Sequence, residues 1–146
     1  MNRQERISMK LINKDDAQKQ MARWRLKNEN IVFTNGCFDI LHKGHLEYLS
    51  HSSDLGDRLV IGLNSDNSVR KIKGDSRPIN DQESRAFALA SLGFVDAIVI
   101  FEEETPEELI KALTPNILVK GSDYLENEIV GGTYVRENGG EVKTIP

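Results

Sequence analysis

Five short apolar runs punctuate the chain: "IVFTNG" at 31–36, "RLVIGLN" at 58–64, "VDAIVIF" at 95–101, "NILVKG" at 116–121 and "EVKTI" at 141–145. Each is a continuous, Val/Ile/Leu-rich stretch bounded by Gly, Asn or Pro, the pattern of strands buried on both faces. Helix-patterned stretches lie between them. Ala17, Met21 and Trp24 recur at spacings of four and three, so Asn13–Lys27 is predicted as a helix with Asn13 and Asp16 able to cap it. Residues 43–54 put Leu46 and Leu49 on one face and have Gly56 as a stop. Residues 65–73 read as a short helix and 74–80 as a loop. Asn80, with Glu83 three residues on, is the predicted cap of a helix ended by Gly93. Thr105, Pro106 and Glu108 supply a cap, a first-turn proline and a capping-box partner for a helix through Leu113, which Pro115 stops. Residues 122–140 read as a loop with a short helix.

Strands alternating with helices predict βαβ units, hence an α/β fold with a five-stranded parallel sheet covered on both faces. A length of 146 residues fits a single domain, with residues 1–28 as an N-terminal helical extension. No internal repeat or interdomain linker breaks the pattern. Hydrophobic residues make up 38% and charged residues 29%, an ordinary soluble balance. The net charge of −4 provides no global basic field, so nucleic acid is not an expected partner and an anionic ligand must be held by local groups. The start, "MNRQERISMK", lacks the apolar core of a signal peptide. No apolar run approaches the ~20 residues of a membrane helix. The single cysteine, Cys37, cannot form an internal disulfide, and the expected location is cytoplasmic.

The stretch "TNGCFDILHKGH" at 34–45 joins the first strand to the second helix. In open parallel sheets ligands sit outside the carboxyl ends of the strands. The free N–H groups of a following helix make a seat for phosphate. Gly36 allows a sharp turn and close approach of the backbone. Gly44 leaves room beside the N–H groups. His42 and His45, three apart, lie on one side of the helix start and can donate to phosphate oxygens. Histidines at this spacing are also found as surface or metal-binding pairs. The metal reading lacks partners, since Asp39 is the one close carboxylate. His51 reads as a solvated residue.

"GCFDILHKGH" resembles the signature of the nucleotidyltransferase superfamily with an H-x-G-H motif. "NSD" at 64–66, "KGDSRPIN" at 73–80, "ESR" at 83–85 and "ILVKGSDY" at 117–124 narrow the resemblance to the heptose 1-phosphate adenylyltransferases. It extends over residues 11–146. It implies a Rossmann-like three-layer α/β/α fold, ATP and a sugar phosphate as the small-molecule partners, Mg²⁺ carried mainly on the ATP phosphates with no protein metal cage, and possibly a homodimer. The family also has a Ser-Thr-Thr-type motif after the last strand, which this chain does not reach before "EVKTIP". Many members are fused to a sugar kinase domain; with none here, the kinase step is expected of a separate protein.

By the same resemblance, His42 and His45 contact the triphosphate and stabilise the α-phosphorus as it is attacked, with Lys73 the third catalytic residue. Thr34, Asn35, Gly36, Phe38 and Gly44 lie under the nucleotide. Lys120, Gly121, Asp123 and Tyr124 bind it after the fourth strand, where main-chain groups could read the base edge. Lys71, Lys73 and Arg77 are candidates for the acceptor phosphate, Arg77 because a guanidinium binds such oxygens bidentately; Lys71 reads equally as part of a solvated basic face. Arg85 is either a triphosphate contact or the surface partner of Asp81, four residues before it. Asp39 is either a site residue or a structural acceptor. Cys37 reads as packing, and Glu102–Glu104 as a solvated approach to the helix behind it. The reaction implied is adenylyl transfer from ATP to heptose 1-phosphate. Alternatives are a cytidylyltransferase of glycerol 3-phosphate, an adenylyltransferase of flavin mononucleotide, and a nucleotide-binding protein without catalysis.

Overall fold

The computed structural model describes residues 1–125 and 128–146. Residues 126–127, inside the stretch read as a loop with a short helix, lie outside the described residues. Twelve described elements follow one another as α1 (Arg3–Ser8), α2 (Lys14–Leu26), β1 (Ile31–Gly36), α3 (Lys43–Ser53), β2 (Arg58–Asn64), α4 (Asp66–Lys73), α5 (Gln82–Ala90), β3 (Ala97–Phe101), α6 (Glu107–Leu113), β4 (Ile117–Gly121), α7 (Gly132–Glu137) and β5 (Glu141–Ile145). The strands form one sheet in the order β3-β2-β1-β4-β5, every described pair parallel.

Alternate strand residues feed two cores, as a doubly covered sheet requires. Ile31, Phe33, Val60, Val99 and Leu118 pack with Met21, Trp24, Leu109 and Val135 from α2, α6 and α7. Val32, Leu59, Ile61, Ile98 and Val119 pack with Leu49, Ala86 and Leu89 from α3 and α5. Gly62 is needed on the first face: a Cβ there would lie 2.7 Å from the Phe33 ring. The N-terminal residues belong to the same body. The chain between α1 and α2 runs along the outer edge of β3, with Ile98 N–H donating to Lys10 O and Ile12 N–H donating to Ile98 O. α1 itself starts at Asn2, whose side chain accepts from Glu5 N–H.

Two predicted caps move. α5 is capped by Asp81, which accepts from Ser84 N–H at 2.8 Å, not by Asn80. The Asn80 amide instead donates to Asp39 O at 2.7 Å, a tertiary bond that takes it away from the helix. At α6, Pro106 occupies the cap position and no side chain caps, so Thr105 does not play that part.

The feature that positions the site is the point where strand order reverses, between β1 and β4. β1 pairs with β2 through Gly36, but its ladder with β4 holds only Val32 with Ile117 and Phe33 with Leu118. Past these the two strands are joined by side chains. Thr34 Oγ1 donates to Val119 O at 3.0 Å, and Lys120 Nζ approaches Asn35 O at 3.4 Å. The sheet thus opens at its carboxyl end where ligands bind in such folds.

Candidate active site

A cavity of about 650 Å³ lies at this opening, lined by the carboxyl ends of β1 and β4, the start of α3, the end of α4 and the loops after β3 and β4. Of the residues singled out from sequence, Asn35, Gly36, Phe38, Asp39, His45, Lys73, Arg77, Lys120, Gly121, Asp123 and Tyr124 line it. Thr34, His42, Gly44, Lys71 and Arg85 do not.

The two imidazoles are held by the start of α3. His42 is the N-cap residue, and its Nδ1 accepts from Gly44 N–H at 3.0 Å. His45 Nδ1 takes the His42 N–H at 3.4 Å, so the pair forms a capping box built from histidines. The rings stack with centroids 3.9 Å apart, and Phe38 meets His45 edge-on at 5.7 Å. With Nδ1 acting as acceptor in each ring, the proton of a neutral imidazole belongs on Nε2. Gly44 is required by the imidazole itself: a Cβ would lie 2.9 Å from His42 Cε1. The room left by Gly44 is therefore filled by His42. Burial lowers the His45 pKa, the His42 and Lys73 charges lower it further, and the Ile40 carbonyl opposes them. Lys73, from the end of α4, is thus within electrostatic reach of the pair. Lys71 is exposed on the same helix.

A second set of ionic groups fixes the loop beneath. Asp39 is 4% exposed and accepts from Ile79 N–H and Asn80 N–H at 2.9 and 3.0 Å, while Arg77 Nε donates to it at 2.6 Å. Burial alone would raise its pKa; the Asn80 and Ile79 amides and the Arg77 guanidinium outweigh that and bring it down to about 2. Asp39 is accordingly a structural acceptor. It aims Arg77, whose side chain lines the cavity with its terminal amino groups free of partners among the described residues. The Arg77–Pro78 peptide is cis.

Arg85 is buried and is not the surface partner of Asp81. Its side chain is 1% exposed and donates to Asn80 O, Cys37 O, Asn64 O and Asp66 Oδ1 at 2.8–3.0 Å. It ties the loops after β1 and β2 to α5. Its side chain does not line the cavity and makes no ion pair with Asp81.

The wall on the β4 side is made by residues 120–124. Burial lowers the Lys120 pKa, opposed by Cys37 and Asp123. Its Nζ lies 5.3 Å from the Tyr124 ring centroid, and no carboxylate of a described residue lies within ion-pair distance. Asp123 folds back over Gly121, where a Cβ would sit 2.7 Å from the carboxylate oxygen. Gly36 likewise makes room, its hydrogen facing the Phe38 ring, which a Cβ would approach to 2.8 Å.

Several lining residues carried no sequence signal that was used. Cys37 lines the cavity. Glu104, read as a solvated approach, lines it too; within the same run Glu102 accepts from Ser65 Oγ at 2.9 Å. Tyr48, Ile72, Ile129 and Val130 also line the cavity. Tyr48 is one turn beyond His45, and that spacing alone could have found it. Among the described residues no three of His, Cys, Asp or Glu gather in a way that could hold a metal ion. No helix among them is long and apolar enough to cross a membrane.

Known proteins bear on this geometry. The cytidylyltransferase-like family model matches residues 33–143. The chain is 51% identical to the bifunctional protein HldE of Magnetococcus marinus over 94% of its own length and 28% of that protein's. It is 59% identical to the HldE of Helicobacter pylori over 77% of its length and 24% of that protein's. It therefore spans about a quarter of the length of these relatives. Among solved structures, a lipopolysaccharide core biosynthesis protein from Thermoplasma volcanium is 32% identical, with a TM-score of 0.66 over 80% of this chain and 93% of that one. A pantoate-beta-alanine ligase from Francisella tularensis shares the fold at 15% identity, with a TM-score of 0.63 over 93% of this chain and 66% of that one.

Proposed function

This chain belongs to the cytidylyltransferase-like family, and from that premise we propose that it transfers the adenylyl group of ATP to heptose 1-phosphate, giving ADP-heptose and pyrophosphate. The acceptor comes from the resemblance of "KGDSRPIN" and "ILVKGSDY" to heptose 1-phosphate adenylyltransferases. The relative from Thermoplasma volcanium, described as a lipopolysaccharide core biosynthesis protein, supports the same choice.

The observation that carries the reading is a rim of cations and N–H donors. Lys73, Arg77 and Lys120 reach one cavity together with the His45 imidazole, beside the helix start that His42 caps. An acceptor phosphate oxygen attacks the α-phosphorus of ATP. The new P–O bond forms as the bond to the β-phosphate oxygen breaks, and pyrophosphate leaves with the electron pair. The attacking oxygen is already anionic, so no general base is needed. The work left to the protein is alignment and stabilisation of charge. His42 and His45 donate through Nε2 to the triphosphate. Lys73 and Arg77 hold the acceptor phosphate against it. The described residues form no cage for a divalent ion; Mg²⁺ enters as part of the substrate, MgATP, and no step is assigned to it. The reading carries with it a cytoplasmic protein, where ATP is available.

The test is a pyrophosphate-release screen of ATP and CTP against heptose 1-phosphate, glycerol 3-phosphate and flavin mononucleotide. Turnover is expected with ATP and the sugar phosphate, with at least roughly tenfold preference over CTP, the effect of about 1.4 kcal/mol from one mismatched buried group. A preference for CTP sinks the adenylyl assignment. Nucleotide binding without turnover on any acceptor favours a binding protein without catalysis.

A further inference from the structure

One residue in the cavity wall has a fixed hydrogen-bonding sense. Tyr48, on the second turn of α3, lines the cavity and lies 2.8 Å from Thr34 Oγ1 through its hydroxyl. Either oxygen could donate in that contact taken alone. Thr34, however, has one proton, and it is directed at Val119 O, 3.0 Å away. A carbonyl cannot donate, so the proton between the two hydroxyls must come from Tyr48. Its donor is thereby committed to the protein, and what the tyrosine oxygen offers the cavity is a lone pair. Asp123, close enough to raise the Tyr48 pKa together with the dominant effect of burial, adds a carboxylate. The cavity thus presents acceptors at Tyr48 and Asp123 as well as its cations and N–H donors.

We propose that Tyr48 is a specificity-determining residue that accepts a hydrogen bond from a neutral donor on the bound nucleoside, with Thr34 as the positioning residue that fixes its direction. The ligand chemistry is an O–H or N–H group, from a ribose hydroxyl or from the exocyclic amine of the base. The inference rests on the proposed use of ATP and adds to it a group that the transfer step itself does not require. It also gives the buried Thr34 a reason to be a threonine and not valine, the isostere that would pack in the same space.

The experiment is calorimetric binding, in the presence of Mg²⁺, of ATP, 2′-deoxyATP, 3′-deoxyATP and inosine triphosphate to the wild-type protein and to Tyr48→Phe, with circular dichroism to establish folding. In wild type, the analogue lacking the recognised donor should bind roughly tenfold more weakly than ATP, and in Tyr48→Phe that single penalty should vanish while the others persist. The analogue that loses its penalty identifies the source: a ribose position or the 6-amino group. Thr34→Val provides a second arm. It returns the tyrosine proton to the cavity, so the same penalty should shrink with Tyr48 still present, whereas Thr34→Ser should keep it. Unchanged penalties for all three analogues in both Tyr48→Phe and Thr34→Val overturn the inference while leaving the function standing. A wild-type protein that binds none of the four nucleotides overturns both.

Discussion

The two ends of the sheet treat charge in opposite ways. At the amino end, ionic groups are matched to one another. Arg58, at the first position of β2, pairs with Glu29 at 3.0 Å and Asp96 at 3.2 Å, and lies over the Trp24 ring at 5.2 Å. Main-chain N–H groups of Asn30 and Ile31 are met there by Asp57 and Asn116. At the carboxyl end, Lys73 and Lys120 have no carboxylate of a described residue within ion-pair distance, and Arg77 engages its own through Nε alone. A protein that needed only to fold would have little reason to gather cations and leave them without close ion pairs, since like charges raise the energy of the folded state. An arriving polyanion supplies what is missing. The criterion that separates the two ends is whether the protein already satisfies the group, and it also sorts residues within the carboxyl end: Arg85 is saturated by four protein acceptors and belongs to the scaffold.

The largest effect expected from breaking this contrast is at His45. His45→Ala removes a donor aimed at developing charge and should lower kcat by roughly 10²–10³-fold, the usual loss for one such group. Burial and the neighbouring His42 and Lys73 lower its pKa, which favours the neutral ring with its proton on Nε2. Circular dichroism should stay native. Pyrophosphate release that is unchanged in the variant would remove His45 from the chemistry.

The scaffold side of the contrast has its own signature, in acid. Asp39 titrates at about 2 in the folded protein, against 3.8 ordinarily. Between those values the unfolded chain binds more protons than the folded one, so stability falls as pH falls. The contribution is complete above about pH 4 and disappears towards pH 2, and amounts to about 2 kcal/mol. Asp39→Asn should flatten that part of the stability profile, measured by urea unfolding from pH 5 to pH 2. A variant profile parallel to that of wild type would show that Asp39 does not anchor residues 77–80.

Lys73→Ala should act next, and selectively. Lys73 is exposed and forms no ion pair among the described residues, so thermal stability should hold. The KM for heptose 1-phosphate should rise about tenfold, equivalent to about 1.4 kcal/mol, with the ATP KM little changed. Equal increases for both substrates would move Lys73 onto the triphosphate.

How much of this was open to reading from sequence depends on whether the cause was local. The five strands are local: each apolar run is its own signal, and all five lie in the sheet within two residues of their predicted ends. The histidine pair is local as well, since a three-residue spacing at a helix start fixes their common side. α1 falls within the helical extension predicted over residues 1–28, and Asn2 and Glu5 stand at the capping spacing that marks its start. Arg85 was not within reach. Its sequence neighbour at four residues is Asp81, yet its partners are Cys37, Asn64 and Asp66, brought together by the crossover from β2. The same holds for Asn80, drawn from the helix cap to Asp39 O across 41 residues of chain. Partner saturation is a tertiary property, and spacing alone carries no trace of it.

The smallest effect should come from the amino end, and it is the control on the whole comparison. Arg58→Met keeps the aliphatic stem over Trp24 but deletes both ion pairs. The Arg58 side chain is 31% exposed, so solvent screens these pairs, and the loss should be about 1 kcal/mol or less. That is a shift of a few degrees in Tm for a domain of this size. The strand position itself is held independently, because Asp96 also accepts Leu59 N–H at 2.8 Å and Asp57 accepts Asn30 N–H at 2.7 Å. The sheet should therefore keep its register, and its carboxyl end should not register the change. Stability by thermal unfolding and kcat/KM by pyrophosphate release, taken on one preparation, decide the matter. A slightly lower Tm with kcat/KM unchanged fits a sheet whose ends do separate jobs. A fall in kcat/KM of tenfold or more with the fold intact would mean that charge at the amino end is coupled through the strands to the site, and the division drawn between the two ends would fail.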